Sequence, residues 1–303
     1  MSGADKNKKT GGMRVKILFA AAGALALGLS VSPVQAADEH HMEPVTPARL
    51  SWSFAGPFGT YDRAQLQRGF KVFREVCSNC HSLSKISFRN LAQKGGPEFS
   101  EGQVKALAAE YKIKDGPNDA GDMFERPGRP SDIFPWNFAN EQAARSANGG
   151  ALPPDMSLLA KARSYKRGFP LFLADPFLQY QEHGVDYIYA VLNSYEDAPK
   201  DMKMDAGQYF NKAMPDLRIA MPNPLAAVAD EKTGKPLDDK FYADGTPATR
   251  EQVARDISAF LMWTAEPKLE ERKRIGFRAM AFLLLFAGLL FYTKKKVWSG
   301  VGH

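Results

Sequence analysis

The stretch REVCSNCHSL, residues 74–83, holds two thiols three positions apart, Cys77 and Cys80, with the imidazole of His81 directly behind them. They are the only cysteines in the 303 residues, so they act as a pair. Residues at i and i+3 share one side of a helical turn, and the following residue swings its ring beneath them. That geometry suits covalently held haem: each thiol adds to a vinyl group, and the imidazole ligates the iron from the proximal face. Other uses of paired thiols fit less well. A thioredoxin-like redox pair lacks a surrounding βα pattern and leaves the histidine unexplained. Structural zinc needs a further cysteine pair that the chain does not have. A disulfide across so short a loop would be strained or catalytic.

The second axial position decides between electron transfer and chemistry at the iron. A thioether there favours electron transfer, whereas an open position permits peroxide or gas chemistry. Methionines downstream include Met123, Met156, Met202, Met204, Met214, Met221 and Met262, with Met280 inside an apolar run. Most belong to core or surface, the usual fate of methionine. Two stand out because AMP occurs twice, at Ala213–Pro215 and Ala220–Pro222. Met221, in RIAMPNPL, is favoured over Met214 because Pro222 and Pro224 stiffen its loop. His183, as a second imidazole, stays open as an alternative.

The motif needs elements to hold it. Leu66, Phe70, Phe73 and Cys77 recur at i, i+4, i+7 and i+11 in DRAQLQRGFKVFREVC, and Asp62 with Gln65 suits a capped start. One apolar stripe of a helix therefore leads into the thiols. A second helix is expected after DGTPATREQ, capped by Thr246 with Pro247 at its first position and Val253, Ile257, Phe260 and Leu261 on its apolar face. A third is expected around FLQYQEHGVDYIYAVLNSY. Between them lies a region rich in Gly and Pro, with no alternating strand pattern, internal repeat or low-complexity segment. The expected fold is mainly α, a c-type cytochrome fold with long irregular loop insertions.

Composition agrees with a folded chain: 44% hydrophobic residues and 24% charged ones are not the balance of a disordered sequence. The net charge of +6 would suggest nucleic acid or anionic lipid, but the bases concentrate at the two ends. Residues 37–267 carry 27 bases and 31 acids, about −4, which argues against a nucleic-acid partner. At the N-terminus Lys6, Lys8, Lys9, Arg14 and Lys16 precede ILFAAAGALALGL and then VQA ending at Ala36, so residues 1–36 read as a cleaved signal peptide. At the C-terminus IGFRAMAFLLLFAGLLFY, Ile275–Tyr292, lies between EERKR and Lys294–Lys296. Its 18 residues reach about 27 Å at about 1.5 Å each, close to a bilayer core of about 30 Å. The expected organisation is a leader (1–36), an exported c-type haem domain (37–267), and a membrane anchor with a short cytoplasmic tail (268–303).

Further segments carry a resemblance. CSNCHSL, AARSANGGALPPDMS, RIAMPNPL, DGTPAT and FLMWTAEPKLEERKRIGF followed by one apolar span resemble the cytochrome c1 family, over most of residues 50–298. The resemblance implies one covalently attached haem c bound through Cys77 and Cys80, with His81 and Met221 as axial ligands of the iron. It also implies that Arg145 pairs with a haem propionate, for which a guanidinium fork is chemically suited. It implies an electron-transfer subunit of a quinol:cytochrome c oxidoreductase that couples electron flow to proton translocation. Its partners would be cytochrome b, a Rieske iron-sulfur protein that delivers the electron, and an acceptor cytochrome c. The complex would be dimeric, in a bacterial inner membrane with the haem domain in the periplasm. The 140 positions from His81 to Met221 would form the surfaces for these partners. Some bacterial members carry a further cysteine pair that bridges a loop near the methionine ligand. Here both cysteines serve haem, so the Met221 loop must be fixed by packing and prolines.

Asp115, Asp119, Asp122 and Glu125 form a run of four acids with no base between its ends. Such a run is either a solvated loop or a face that steers a basic electron acceptor. Two readings of other kinds make different demands. A tethered haem peroxidase or gas sensor needs a labile or absent sixth ligand, and a free-standing anchored cytochrome needs no complex around it.

Overall fold

The computed structural model describes residues 42–165, 168–178 and 180–300, so the leader expected over residues 1–36 lies outside the described residues. Helix α1 (Arg63–Glu75) runs into a 3-10 turn at Cys77–Asn79, and a second 3-10 turn (Phe88–Ala92) precedes α2 (Glu101–Ala109). A hairpin of β1 (Lys112–Asp115) and β2 (Phe124–Pro127) follows, then α3 (Glu141–Ala147), α4 (Leu159–Ala162), α5 (Leu171–Leu178) and α6 (His183–Asn193). After a small hairpin, β3 (Tyr209–Phe210) with β4 (Arg218–Ile219), come α7 (Arg250–Ala265) and α8 (Leu269–Val297). The protein is mainly helical with long irregular connections, as expected.

Helix α1 begins where its sequence predicts. The Asp62 carboxylate accepts from the Gln65 N–H at 3.1 Å, satisfying a donor that the helix itself cannot. Leu66, Phe70 and Phe73 are buried along the stripe. The rings of Phe70 and Phe73 both pack against Phe134 and Phe260, and the aromatic cluster continues to the buried Cys77. α7 crosses α1 at Gly69, where an added Cβ would overlap the Asp256 carbonyl oxygen; only glycine lets the backbones approach so closely. Beside the crossing, Arg68 Nε donates to the Asp256 carboxylate at 2.9 Å. Asp256 is fully buried and also accepts from Gln65 and Gln252. A buried carboxylate needs such partners, because leaving it unpaired is strongly destabilising.

Two helices differ from expectation. The cap of α7 is Thr249, which accepts from the Gln252 N–H at 3.2 Å, whereas the Thr246 N–H donates to Asp244 in the preceding turn. Pro247 therefore precedes the helix instead of opening it: two threonines three apart offer the same capping chemistry, and the turn at Asp244 claims the first. The third expected helix is shorter, since Tyr180 precedes α6 and Phe177 and Leu178 belong to α5. Gly184 in the first turn of α6 meets the Ala160 carbonyl of α4 closely enough that a Cβ would overlap it. The hairpins leave no pattern in the sequence because β1 and β2 have no buried residue and β3 and β4 are only two residues long each.

The 29 residues of α8 extend about 43 Å and contain the expected span. Among the described residues it is the one helix long and apolar enough to cross a membrane. Leu284, Leu285 and Phe291 are each about 70% exposed, an arrangement that water penalises and hydrocarbon does not. Its first turn is tied to the haem-motif helix: Arg63 clamps Glu270 through two bonds of 2.7 and 3.0 Å, and the Tyr61 N–H donates to the same carboxylate.

Candidate functional site

Cys77 and Cys80 are free thiols, one buried and one half-buried. Past Val76, where α1 ends, the chain tightens so that the Cys80 and His81 N–H groups both donate to the Cys77 carbonyl. Burial, with the neighbouring Cys80, pushes the Cys77 thiol up to about 12. Two side chains from the loop before α3 hold the motif from outside. Trp136 Nε1 donates to the Cys80 carbonyl at 2.9 Å, and Asn137 Nδ2 donates to the Ser78 carbonyl at 2.9 Å.

His81 is buried, and its Nδ1 lies 2.8 Å from the Pro154 carbonyl oxygen. A carbonyl can only accept, so Nδ1 carries the proton and the Nε2 lone pair is left for a metal. Burial lowers the pKa of His81, a trend that the Pro154 contact and Asp155 oppose; the imidazole is neutral, the form that ligates. The Pro154 carbonyl is itself held in place. The Asp155 carboxylate accepts from Ser82 Oγ (2.7 Å), the Ser84 N–H (2.8 Å) and the Ser157 N–H (2.9 Å), stapling the segment after the motif to the Pro-Pro-Asp loop. Partial burial would raise the Asp155 pKa, but these donors bring it below its ordinary value. Sequence reasoning passed over Asp155, Trp136 and Asn137. The available signal was local: a stiff Pro153-Pro154 pair followed by an Asp-Met-Ser turn offers a fixed carbonyl.

The expected distal candidates separate by environment. Met221 is half-buried against the core cluster that contains Cys77. The Tyr195 hydroxyl donates to its carbonyl at 3.1 Å, and Asn223 caps the 3-10 turn beginning at Pro224. The loop is thus pinned by hydrogen bonds as well as by prolines. The Met214 sulfur receives the Tyr187 hydroxyl at 3.2 Å. Met262 is buried within α7, and Met123 is 64% exposed. His183 is engaged elsewhere, 3.4 Å from Asp175 and against the ring of Tyr180.

Arg145 lies in the last turn of α3, exposed, with Nη1 donating to the Gly150 carbonyl at 3.3 Å. The four acids lie on the β1–β2 hairpin and its turn, and the fold brings bases to two of them. Arg126 pairs with Asp115 as well as with Asp132, and Lys114 stands opposite Glu125 in the register. Asp119 and Asp122 remain exposed in the turn.

Paired thiols at the end of a helix, and a neutral imidazole presenting Nε2, form a donor set that fits a covalently attached haem. Fold and site together define a membrane-anchored c-type cytochrome. The Cytochrome C1 family model matches residues 52–301. The chain is 46% identical to cytochrome c1 of Blastochloris viridis over 293 residues, 95% of this chain and 98% of that relative. It is 55% identical to cytochrome b/c1 of Bradyrhizobium diazoefficiens over 286 residues, 94% of this chain and 39% of that relative, so it spans about two fifths of that longer protein. It is also 41% identical to a mitochondrial cytochrome c1 of Arabidopsis thaliana over 271 residues, 89% of this chain and 78% of the relative. The chain belongs to the cytochrome c1 family. Proteins of this family carry a covalently attached c-type haem and serve electron transport.

Proposed function

We propose that this chain is the haem subunit of a quinol:cytochrome c oxidoreductase, taking one electron at a time from a Rieske iron-sulfur protein and passing it to a cytochrome c. The observation that carries the reading is the His81 contact with Pro154, which fixes the imidazole's proton and orients Nε2. When bound, haem supplies a one-electron couple. In this assignment Cys77 and Cys80 hold the group through thioether bonds, and His81 and Met221 are the axial ligands. Arg145, whose guanidinium reaches solvent, pairs with a propionate. The chain breaks no bond in a substrate. With His81 and Met221 both on the iron, its residues would hold the group in place for transfer and leave no position for an exogenous ligand.

Cytochrome b is the integral-membrane partner in this reading, and the complex is a dimer that couples electron flow to proton translocation. The domains are a leader over residues 1–36, a haem domain over 37–267 and an anchor with its tail over 268–303. The leader would place the haem domain in the periplasm and Lys294–Lys296 in the cytoplasm. Optical spectra of wild type, Met221→Leu and Met214→Leu test the ligand assignment. Wild type and Met214→Leu should show the weak sulfur-to-iron band at the red end of the oxidised spectrum and ignore carbon monoxide when reduced. Met221→Leu should lose the band and bind the gas. Carbon monoxide binding to wild type would mean an open sixth position and a haem built for chemistry or sensing.

A further inference from the structure

The short helix α5 is inside out for a surface helix. Its one charged residue, Asp175, is turned inward at 7% exposure, with its carboxylate 3.4 Å from His183 Nε2. Its apolar side chains face outward: Leu171, Phe172 and Leu173 are 49%, 53% and 52% exposed, and Phe169 just before them is 80% exposed. A helix in contact with water presents the opposite pattern, and clustered exposed apolar side chains mark an interaction surface.

Its neighbours indicate what it meets. Phe172 and Gln181 line one cavity, and Gln181 also lines a second, bounded by Phe58 and by Phe277 and Met280 of α8. Phe277 and Met280 lie inside the expected span Ile275–Tyr292, so α5 and the start of that span border cavities that meet at Gln181. Phe58 is 74% exposed and packs edge-on against Phe277, with ring centroids 5.7 Å apart. Lys268, just before α8, and Arg272 and Arg274 in its first turns are exposed; Lys268 pairs with Glu271 and Arg272 with Glu266, and Arg274 suits a phosphate headgroup. Aromatic and aliphatic side chains at that level favour the boundary between headgroups and acyl chains.

We infer that Phe169–Leu173, with Phe58, forms a second contact with the phospholipid bilayer, seating the haem domain on the membrane beside its anchor. The inference rests on α8 crossing the bilayer, and its test separates the two. The full haem-loaded chain, carrying a nitroxide on Phe172→Cys, Leu284→Cys or Asp119→Cys, is reconstituted without other subunits into vesicles of phosphatidylethanolamine and phosphatidylglycerol. A label at Phe169→Cys repeats the first measurement at a more exposed position, and the haem spectrum checks that each variant is folded. Oxygen, which partitions into lipid, and a water-soluble nickel chelate are the two relaxing agents. The labels at 169 and 172 should respond to oxygen and lose the response to nickel, as 284 should, while 119 responds to nickel. If 284 responds as a lipid site and 169 and 172 respond to nickel like 119, the second contact is wrong and the anchor stands. If 284 itself responds to nickel, the span fails and the inference falls with it. Shielding of 169 and 172 from both agents would show a protein surface over them, and would overturn the lipid assignment.

Discussion

The imidazole of His81 depends on one carboxylate that never touches it. Asp155 gathers three donors from Ser82, Ser84 and Ser157, and so keeps the Pro154 carbonyl at 2.8 Å from Nδ1. A ligand histidine that donates from its second nitrogen becomes more basic and better supports the oxidised metal. Asp155→Ala leaves those donors without their acceptor, at a cost of about 1–3 kcal/mol, and loosens the carbonyl. The haem-loaded variant should therefore have a lower thermal midpoint and a higher reduction potential, with Asp155→Asn intermediate. A lower midpoint with an unchanged potential would make Asp155 a structural staple only. The cysteines and His81 were legible because their spacing is the chemistry. Asp155 was not, because its role exists only once residues 73 positions apart meet. Met221 is favoured over Met214 by its neighbouring prolines, and the fold adds that the Met214 sulfur has a hydroxyl partner.

At the level of elements, the crossing of α1 and α7 sets where the motif begins. Gly69→Val would force a side chain into the Asp256 carbonyl and should cost about 1–3 kcal/mol, as overpacking does. Gly102→Ala is the matched control. The space around Gly102 in α2 is open, with its nearest neighbour at 4.0 Å, so the change should be neutral or stabilise by up to about 1 kcal/mol. Thermal unfolding of the two haem-loaded variants checks both. The hairpin supplies a pH test. Hydrogen bonding from Arg126 lowers the Asp132 carboxyl to about 2, below its unfolded value of about 3.9. A depressed carboxylate stabilises the fold above the unfolded value, and that contribution is lost as pH falls towards 2. Wild type should therefore be more stable than Asp132→Asn near neutrality, with the gap closing between about pH 4 and 2; a gap constant over that range would discredit the ion pair. The long helices could be read from sequence, since the stripe of α1 and the apolar run of α8 are each decided by local spacing. The start of α7 and the hairpins could not. Thr246 and Thr249 offer identical caps, and strands of two to four residues, those of the first hairpin with no buried side chain, are too short for an alternation to show.

Charge acts over the whole molecule. Residues 37–267 are net acidic, about −4, and under the proposed function that charge would draw a basic electron acceptor from a distance. The four acids of the hairpin differ in their surroundings. Asp115 lies against Arg126, and hydrogen bonding from that guanidinium, with the Gly116 N–H, holds its carboxyl below the ordinary range. Glu125 stands opposite Lys114 in the strand register. Asp119 and Asp122 project from the turn. Exposed charges are screened beyond about 8 Å at physiological ionic strength, so steering appears as a second-order rate of electron delivery that falls as salt rises. Asp119→Asn with Asp122→Asn removes two negative charges and should flatten that salt dependence, and Asp115→Asn, which uncovers positive charge on Arg126, should flatten it by about half as much while also lowering thermal stability through the loss of its pairing with Arg126. Stopped-flow reduction of a basic cytochrome c at increasing ionic strength reads the first effect, and thermal unfolding reads the second. An unchanged salt slope in the double variant would reduce the turn to a solvated loop. Flattening by Asp115→Asn with none in the double variant would place the approaching acceptor at the Asp115–Arg126 pair and away from the turn.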